Sequence, residues 1–382
     1  MVASFAAGLA ISSLVFYLFP SLYLGRGVFA ISLALSLAGC LLVRLAISRW
    51  KAFGFLRPRV LVLGTGPWAK QVQDVLDNTS IGEHVNVLGF VRVNGGPDLV
   101  RTALIIEAPP GRTLAQLARE QRVDEIVIAV RDRRGGLLPV EDLLQCRLDG
   151  TRVVELATFY EREHGQVRLE SLTASWMILN DGFRQSLWRE GVKRVFDVVC
   201  SLALLIVTSP IMLLTAIAIV LESGLPIFYR QERVGQGNRS FNIVKFRSMH
   251  TDAEKDGKPR WAQQGDARVT AVGRVIRKLR IDELPQIINV LQGDMSFVGP
   301  RPERPFFVQK LAPTIPYYAA RHTVKPGITG WAQVRYAYGA TVDDAIEKHL
   351  YDLYYVKNHS LFLDMMILLD TVQVVLWGKG AR

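Results

Sequence analysis

Three features of the sequence predict a membrane α/β protein. Two apolar runs lie close together at the start of the chain. From Arg57 onward, short β-rich runs alternate with helical ones. A third apolar run, free of charge, is flanked by basic clusters on both sides. Together they predict an N-terminal transmembrane helical hairpin, a Rossmann-like doubly wound domain and a C-terminal α+β domain with a re-entrant membrane helix. The expected boundaries are 1–50 for the hairpin, 57–160 for the Rossmann-like module, 161–191 for a linker and 192–382 for the last domain, with its membrane helix over 193–222.

The hairpin comes first. Val2–Phe19 and Val28–Ile47 are each about the length of a membrane-crossing helix. No Lys or Arg precedes the first run, as a secretory signal would require. The link "PSLYLGRG" carries one charge, whereas Arg44, Arg49, Lys51, Arg57 and Arg59 crowd the far side of the second run. The positive-inside rule therefore puts everything after Trp50 in the cytoplasm.

In the next stretch "RVLVLG", "VNVLGFV", "TALIIEA", "EIVIAV" and "RVVELA" have strand character, and "PWAKQVQDVL", "TLAQLAREQ" and "PVEDLLQC" are helical. This alternation predicts a doubly wound parallel sheet. Gly64-Thr65-Gly66-Pro67-Trp68-Ala69 fits the G-x-G-x-x-A dinucleotide pattern. Trp68, however, puts a ring where a pyrophosphate needs backbone access, and Glu83 falls in a loop before the second strand. A structural or regulatory module is expected here, and no cofactor is assigned to it.

The third run, Val198–Leu221, is long enough to span a bilayer. Lys193 and Arg194 precede it, and Arg230, Arg233, Arg239, Lys245 and Arg247 follow it, so crossing would strand one basic cluster outside. Pro210 weakens the helix midway and Ser209 can satisfy a freed carbonyl. A break there would return the helix to its own face. "PIFYRQERVGQGNRSFNIVKFRSM" predicts a strand-turn segment, and "HTDAEKDGKPRWAQQGDARVT" a surface loop. "SLFLDMMILLDTVQVVLWGKG" predicts a helix lying in the interface or beneath the re-entrant element.

Composition agrees with a membrane setting: 49% of residues are hydrophobic, mean hydropathy is +0.19 and formal charge is +11. Such a charge suits anionic lipid or phosphorylated substrates. No nucleic-acid-reading motif is present, so a nucleic-acid partner is not expected. Three cysteines, two of them inside apolar runs, give neither a zinc pattern nor a disulfide framework.

The candidate chemistry lies at Asp282 and Glu283 in "RKLRIDELPQIINVLQGDMSFVGPRPERP". Leu284, Ile287, Ile288 and Leu291 recur at helical spacing, and Pro285 suits a first turn, which puts both acids at a helix entrance. They would serve there as ordinary helix-start residues. Equally, neighbours about 100° apart on a helix can address different targets. One carboxylate would attack phosphorus and the other would hold a hard cation.

Lys193–Arg382 resembles the bacterial sugar transferases that move a hexose-1-phosphate from a nucleotide diphosphate sugar onto polyprenyl phosphate, the re-entrant superfamily of phosphoglycosyl transferases. The resemblance is carried by "KRVFDVV…TSP", "VKFRSM", "DELPQIINVLQGDMSFVGPRP", "KPGITGWAQV" and "YDLYYVKN", in that order. The N-terminal segments resemble the larger members, which prime exopolysaccharide or O-antigen synthesis. The resemblance implies that Asp282 is the nucleophile and Glu283 the Mg²⁺ ligand. It implies that Arg277 and Arg301 hold the phosphates and that Lys245 and Arg247 form the basic motif beside the site; Arg335 is a further substrate-binding candidate. A guanidinium meets phosphate oxygens as a bidentate fork. The implied partners are a UDP-sugar, undecaprenyl phosphate and membrane lipids, with a homodimer as the expected assembly. The implied place is the bacterial inner membrane, with the catalytic domain on the cytoplasmic face. Two N-terminal helices stand where larger members have four, and "RYAYGATVDD" replaces a different basic loop, which leaves the sugar open. A non-catalytic scaffold of a polysaccharide export complex is the rival expectation, and it predicts a dispensable Asp282.

Overall fold

The computed structural model describes residues 8, 12–13, 16–17, 20–22, 25–52, 57–78, 85–93, 97–107, 111–130, 138–169, 172, 177–178, 182–183, 186–251, 268–336, 339 and 341–377. Most of the first apolar run and nearly all of the polar loop after His250 lie outside these residues. The chain divides into two compact units, Met1–Leu156 and Ala157–Arg382.

The first unit opens with helix α1 (Arg26–Ala52), whose segment Gly27–Ala46 is long and apolar enough to cross a membrane. Ile31, Leu35 and Leu42 are exposed along it, a continuous apolar surface that calls for lipid. Strand β1 (Arg59–Leu63), helix α2 (Pro67–Asn78), strand β2 (Asn86–Val91), strand β3 (Ile105–Ile106), helix α3 (Leu114–Glu120), strand β4 (Glu125–Ile128), helix α4 (Val140–Leu148) and strand β5 (Arg152–Glu155) follow. The sheet order is β3-β2-β1-β4-β5 with every pair parallel. That is the doubly wound arrangement expected from the alternation. Leu61, Leu63, Ile126 and Ile128 pack on Leu114 and Leu117 of α3 and on Leu143 and Cys146 of α4. β3 is shorter than "TALIIEA" predicts, because Thr102–Leu104 close into a 3-10 turn first. Gly64 has φ +123°, and a Cβ there would meet the Ala129 carbonyl oxygen at 2.8 Å. The first glycine of the fingerprint is thus required by the turn itself. The Thr65 carbonyl accepts from the Leu99 amide at 2.8 Å, which ties the neighbouring loop to the fingerprint turn.

The second unit contains helix α5 (Leu156–His164, from its second residue), helix α6 (Leu187–Ser223), strands β6 (Phe228–Val234) and β7 (Ser240–Phe246), helix α7 (Ala271–Lys278), a 3-10 turn (Ile281–Gln286), helix α8 (Ile287–Gln292), strand β8 (Ser296–Val298), helix α9 (Pro305–Leu311), a second 3-10 turn (Tyr318–Thr323), strand β9 (Gly327–Thr329) and helices α10 (Trp331–Arg335), α11 (Val342–Asn358) and α12 (Leu361–Trp377). β6 and β7 form the expected antiparallel hairpin, with Gly237 at φ +64° in its turn. β8 and β9 pair in parallel. They lie side by side because Gly299 and Gly327 lack side chains: a Cβ on Gly327 would stand 2.1 Å from the Gly299 amide nitrogen. The core gathers Val290, Met295, Phe297, Trp331, Tyr355 and Ile367.

The described part of 161–191 is packed onto this unit, where the sequence suggests a linker. The Trp331 indole donates to the Gly165 carbonyl at 2.6 Å, Lys357 pairs with Glu161 at 2.6 Å, and Val167 and Leu172 pack against Leu350 and Leu353. Those two apolar side chains give the segment something to bury.

Helix α6 is 37 residues long, about 55 Å of rise, and runs uninterrupted through Pro210. A break is therefore not what Pro210 produces. Proline removes the amide that would bond the Ile206 carbonyl, and Ser209 Oγ donates to that same oxygen at 2.9 Å. Asp197, Ser201, Thr208, Thr215 and Ile219 are its buried positions, and their spacing draws one stripe along the helix. Val199, Ile206, Leu214 and Leu221 are exposed away from it. Both ends are fastened within the unit. Lys193 pairs with Asp364 at 2.5 Å, and Arg194 donates to the Val290 carbonyl at 2.5 Å and the Leu291 carbonyl at 2.7 Å. At the other end Glu222 accepts from the Ala271 amide at 2.7 Å. With α1, this gives two helices long and apolar enough to cross a membrane.

Candidate active site

The acid pair lies in the 3-10 turn one step before α8, where the sequence expects the α-helix entrance itself. Pro285 explains the shift: it disfavours α geometry at the residue before it, so the chain enters α8 only after a tighter turn. Arg280, at φ +59°, swings the chain into that turn. At three residues per turn, the Asp282 and Glu283 side chains point about 120° apart.

Their surroundings differ accordingly. Glu283 is buried, and its Oε1 accepts from Arg301 Nη2 at 2.6 Å and Lys245 Nζ at 2.9 Å, with Arg280 Nη1 at 3.9 Å. Asp282 is half-buried and makes no side-chain hydrogen bond or ion pair among the described residues. Burial alone would raise the Glu283 carboxyl, but Arg301 and Lys245 hold it well below the usual carboxylate range. The Asp282 carboxyl is pushed up, first by burial and then by the negative charge of Glu283, and Lys245, Arg277 and Arg280 offset this only in part. Adjacent carboxylates driven in opposite directions are a recurrent mark of divided roles. Glu283 is fixed as a charge, whereas Asp282 is a desolvated, more basic carboxylate with uncommitted oxygens, suited to attack an electrophile.

Lys245, on β7, is pushed down by burial, and Glu283 only partly offsets that. Arg301 follows β8, and the Glu283 charge raises its pKa above the ordinary arginine value. Arg277, in the last turn of α7, lies near enough for its charge to act on Asp282. These three candidates converge on the dyad. Arg247 and Arg335 are committed elsewhere. Arg247 Nη2 donates to the Ser223 carbonyl at 3.0 Å, to Ser223 Oγ at 2.7 Å and to the Gly224 carbonyl at 2.7 Å, closing the end of α6. Arg335 lies 4.2 Å over the Trp331 ring and 3.9 Å from Asp370.

Sequence reasoning missed Arg280, whose positive φ no spacing argument reveals, and Arg321. Arg321 is buried, pairs with Asp352 at 2.8 Å and donates to the Tyr318 hydroxyl at 2.7 Å and the Arg301 carbonyl at 2.9 Å. It holds the main chain of Arg301 from behind, across a stretch of sequence too long for a motif to connect. Around the same turn, burial pushes His322 down to about 4 and His349 down to about 3, which keeps both imidazoles neutral.

No group of three or more His, Cys, Asp or Glu side chains that could hold a metal occurs among the described residues. The dyad still fits Mg²⁺, which takes one or two carboxylates and completes its shell with water and substrate phosphate. The described bonds to Glu283 all fall on Oε1, and none engages Oε2.

Comparison with known proteins bears on the same half of the chain. The family described as "Bacterial sugar transferase" matches residues 188–378. The chain is 44% identical over 261 residues to a UDP-N-acetylgalactosamine-undecaprenyl-phosphate N-acetylgalactosaminephosphotransferase of Aeromonas hydrophila, covering 68% of this chain and 61% of the relative. It is 43% identical over 199 residues to an undecaprenyl-phosphate glucose phosphotransferase of Komagataeibacter xylinus, covering 51% of this chain and 37% of the relative. It is 46% identical over 192 residues to a UDP-glucose:undecaprenyl-phosphate glucose-1-phosphate transferase of Caulobacter vibrioides, covering 50% and 71%. The chain thus spans less than two thirds of the length of the first two.

Proposed function

This chain belongs to the bacterial sugar transferase family, and from that premise we propose that it transfers a sugar-1-phosphate from a UDP-sugar to undecaprenyl phosphate. The observation that carries the reading is the divided dyad: Glu283 locked among cations beside an uncommitted, basic Asp282.

In the first step an Asp282 carboxylate oxygen attacks the phosphorus bonded to the sugar oxygen. The bond from that phosphorus to the oxygen bridging the two phosphates breaks, and UMP leaves with the bridging oxygen and its electron pair. An aspartyl phosphosugar remains. In the second step a phosphate oxygen of undecaprenyl phosphate attacks the same phosphorus and expels the Asp282 carboxylate, giving the lipid diphosphate sugar. One phosphoanhydride replaces another, so the exchange is close to balanced. Arg301 and Lys245 offer fixed positive charge to the diphosphate, and Arg277 lies on the Asp282 side. Glu283 would hold Mg²⁺, which when bound would supply charge neutralisation of the diphosphate.

The reading includes a re-entrant disposition of α6 at the cytoplasmic face of the inner membrane, and a homodimer by resemblance to larger members. The fastening of both ends of α6 to one unit, and its single buried stripe, support entry and exit by the same face, with the turn made as a bend of the continuous helix at Pro210 and not as a break. A phosphate on a long isoprenoid then meets Asp282 at headgroup depth.

The test is UMP release by the purified protein with Mg²⁺, undecaprenyl phosphate and a panel of UDP-sugars, together with capture of labelled donor on the protein. Turnover and labelling with one donor, both lost in Asp282→Asn at normal expression, are expected. Full activity in Asp282→Asn would refute the nucleophile, and inertness toward every donor would favour the scaffold.

A further inference from the structure

Lys245 and Arg301, the two cations bonded to Glu283, also line a small cavity of about 10 Å³, room for one water molecule or one oxygen of a larger anion. Arg233, Lys245, Gln286 and Arg301 line it, with Ile243 as an apolar wall. Gln286 follows Glu283 by three residues in the 3-10 turn, the spacing at which side chains eclipse one another. It is 2% exposed, and its Nε2 has no hydrogen-bond partner among the described residues. Arg233 donates through Nη1 to the Pro302 carbonyl at 2.9 Å and through Nη2 to Gln231 Oε1 at 2.6 Å. Its Nε is buried and unpartnered among the described residues.

Unfilled buried donors are rare in folded proteins and call for an explanation. Here the two side chains that carry them line one hole. The charges around it are four cations, Arg233, Lys245, Arg280 and Arg301, against three carboxylates, Asp282, Glu283 and Glu303, the last 3.8 Å from Arg233. A metal cation is disfavoured by sign. A water would fill the donors and leave the excess positive charge uncompensated. An anionic oxygen answers both requirements.

We propose that Gln286 and Arg233 form an inner subsite that receives a non-bridging phosphate oxygen of the diphosphate donor on the Glu283 side of the dyad. The inference rests on the transferase reading and deepens it. It assigns a phosphate-positioning role to two residues that no spacing argument singles out. Gln286 supplies an amide N–H, and Arg233 supplies the one guanidinium N–H that its protein partners leave over.

The test is calorimetric titration of the full chain in detergent with UDP, alongside the donor KM, for the wild type, Gln286→Met, Gln286→Glu and Arg233→Lys. Gln286→Met keeps the length of the side chain and loses the donor. It should weaken UDP binding and raise donor KM about tenfold or more, leaving the KM for undecaprenyl phosphate unchanged. Gln286→Glu, nearly the same shape, fills the hole with its own carboxylate and should weaken UDP binding further. Arg233→Lys should weaken it in the same direction. Melting temperature reports folding, and if Gln286→Met does not fold, Gln286→Glu carries the test. UDP affinity and donor KM within twofold of wild type in the folded Gln286 variants would mean that the cavity holds only water, and would overturn the subsite. The wild-type arm tests the transferase reading alone: if it neither binds UDP nor releases UMP, that reading falls, whatever the variants do.

Discussion

Replacing Arg321 with methionine probes how the catalytic loop is held. Arg321 is 6% exposed and Asp352 2%, and the pair is separated by 2.8 Å. Burial pushes the Asp352 carboxyl up to about 6, even with Arg321 pulling it down. Removing the guanidinium leaves a buried carboxylate without its partner, a loss of about 3–5 kcal/mol. For a unit of this size that corresponds to a melting temperature roughly 6–20 °C lower. The pH dependence has a definite sign. Asp352 titrates higher in the folded state than its unfolded value of about 3.9, so between about pH 4 and 6 the folded state binds more protons than the unfolded. Stability from this group is therefore highest at the acid end of the window, declines as pH rises through it and is level above. Without Arg321 the folded pKa climbs further and the window extends upward, so the deficit of R321M against wild type should be smaller at pH 5 than at pH 8. Thermal melting in detergent at both pH values measures it, with D352L and the R321M/D352L double variant as the cycle. Removing both charges should cost less than removing Arg321 alone. Turnover should fall further than melting explains, because the Arg301 main chain loses the donor at 2.9 Å that holds it. A deficit below about 1 kcal/mol at pH 8, or one that grows toward pH 5, would refute the reasoning.

Three further outcomes are expected. Arg277 lowers the Asp282 carboxyl, so R277M should move the acid limb of UMP release to higher pH, since only the ionised carboxylate attacks; a limb that stays in place argues against Asp282 as the titrating nucleophile. Gly327→Ala forces a Cβ to 2.1 Å from the Gly299 amide nitrogen and 2.3 Å from the Thr329 carbonyl oxygen, and should cost on the order of 3 kcal/mol by melting, with loss of turnover. S209A should destabilise by about 1 kcal/mol because the Ile206 carbonyl loses its donor, and in a P210A background, where an amide returns, the same substitution should be nearly silent.

Local patterns were the legible part of this chain. The Rossmann-like sheet followed from aliphatic runs bounded by glycine and helix signals, and the β6–β7 hairpin from Gly237 between two alternating segments. The dyad was legible as a pair, because adjacent acids before an apolar helical run stand out. Two kinds of information were not. Pro285 moves the pair into a 3-10 turn, which changes the angle between the carboxylates, and periodicity read from residue 284 onward cannot register that. Partners far apart in sequence were also invisible: Arg321 reaches Arg301 and Asp352, and Arg247 closes the end of α6. A basic residue beside a motif carries the same symbol whether it faces a phosphate or a helix carbonyl, and only the backbone path tells the two apart. Tertiary burial of Val167 and Leu172 likewise turned an apparent linker into part of a folded layer.

The stripe of polar residues along α6 has an evolutionary consequence. Asp197 accepts from Ser296 Oγ at 3.1 Å and the Phe297 amide at 3.3 Å, so α6 fastens the very strand that leads into Gly299-Pro300-Arg301. An anchor of this kind cannot be shed to yield a water-soluble enzyme, as a tail hung from a linker could be. Cutting it away would expose the underside of β8 and unseat the arginine that grips Glu283. The bonds that hold this helix in place are thus the ones that also align Arg301 with Glu283.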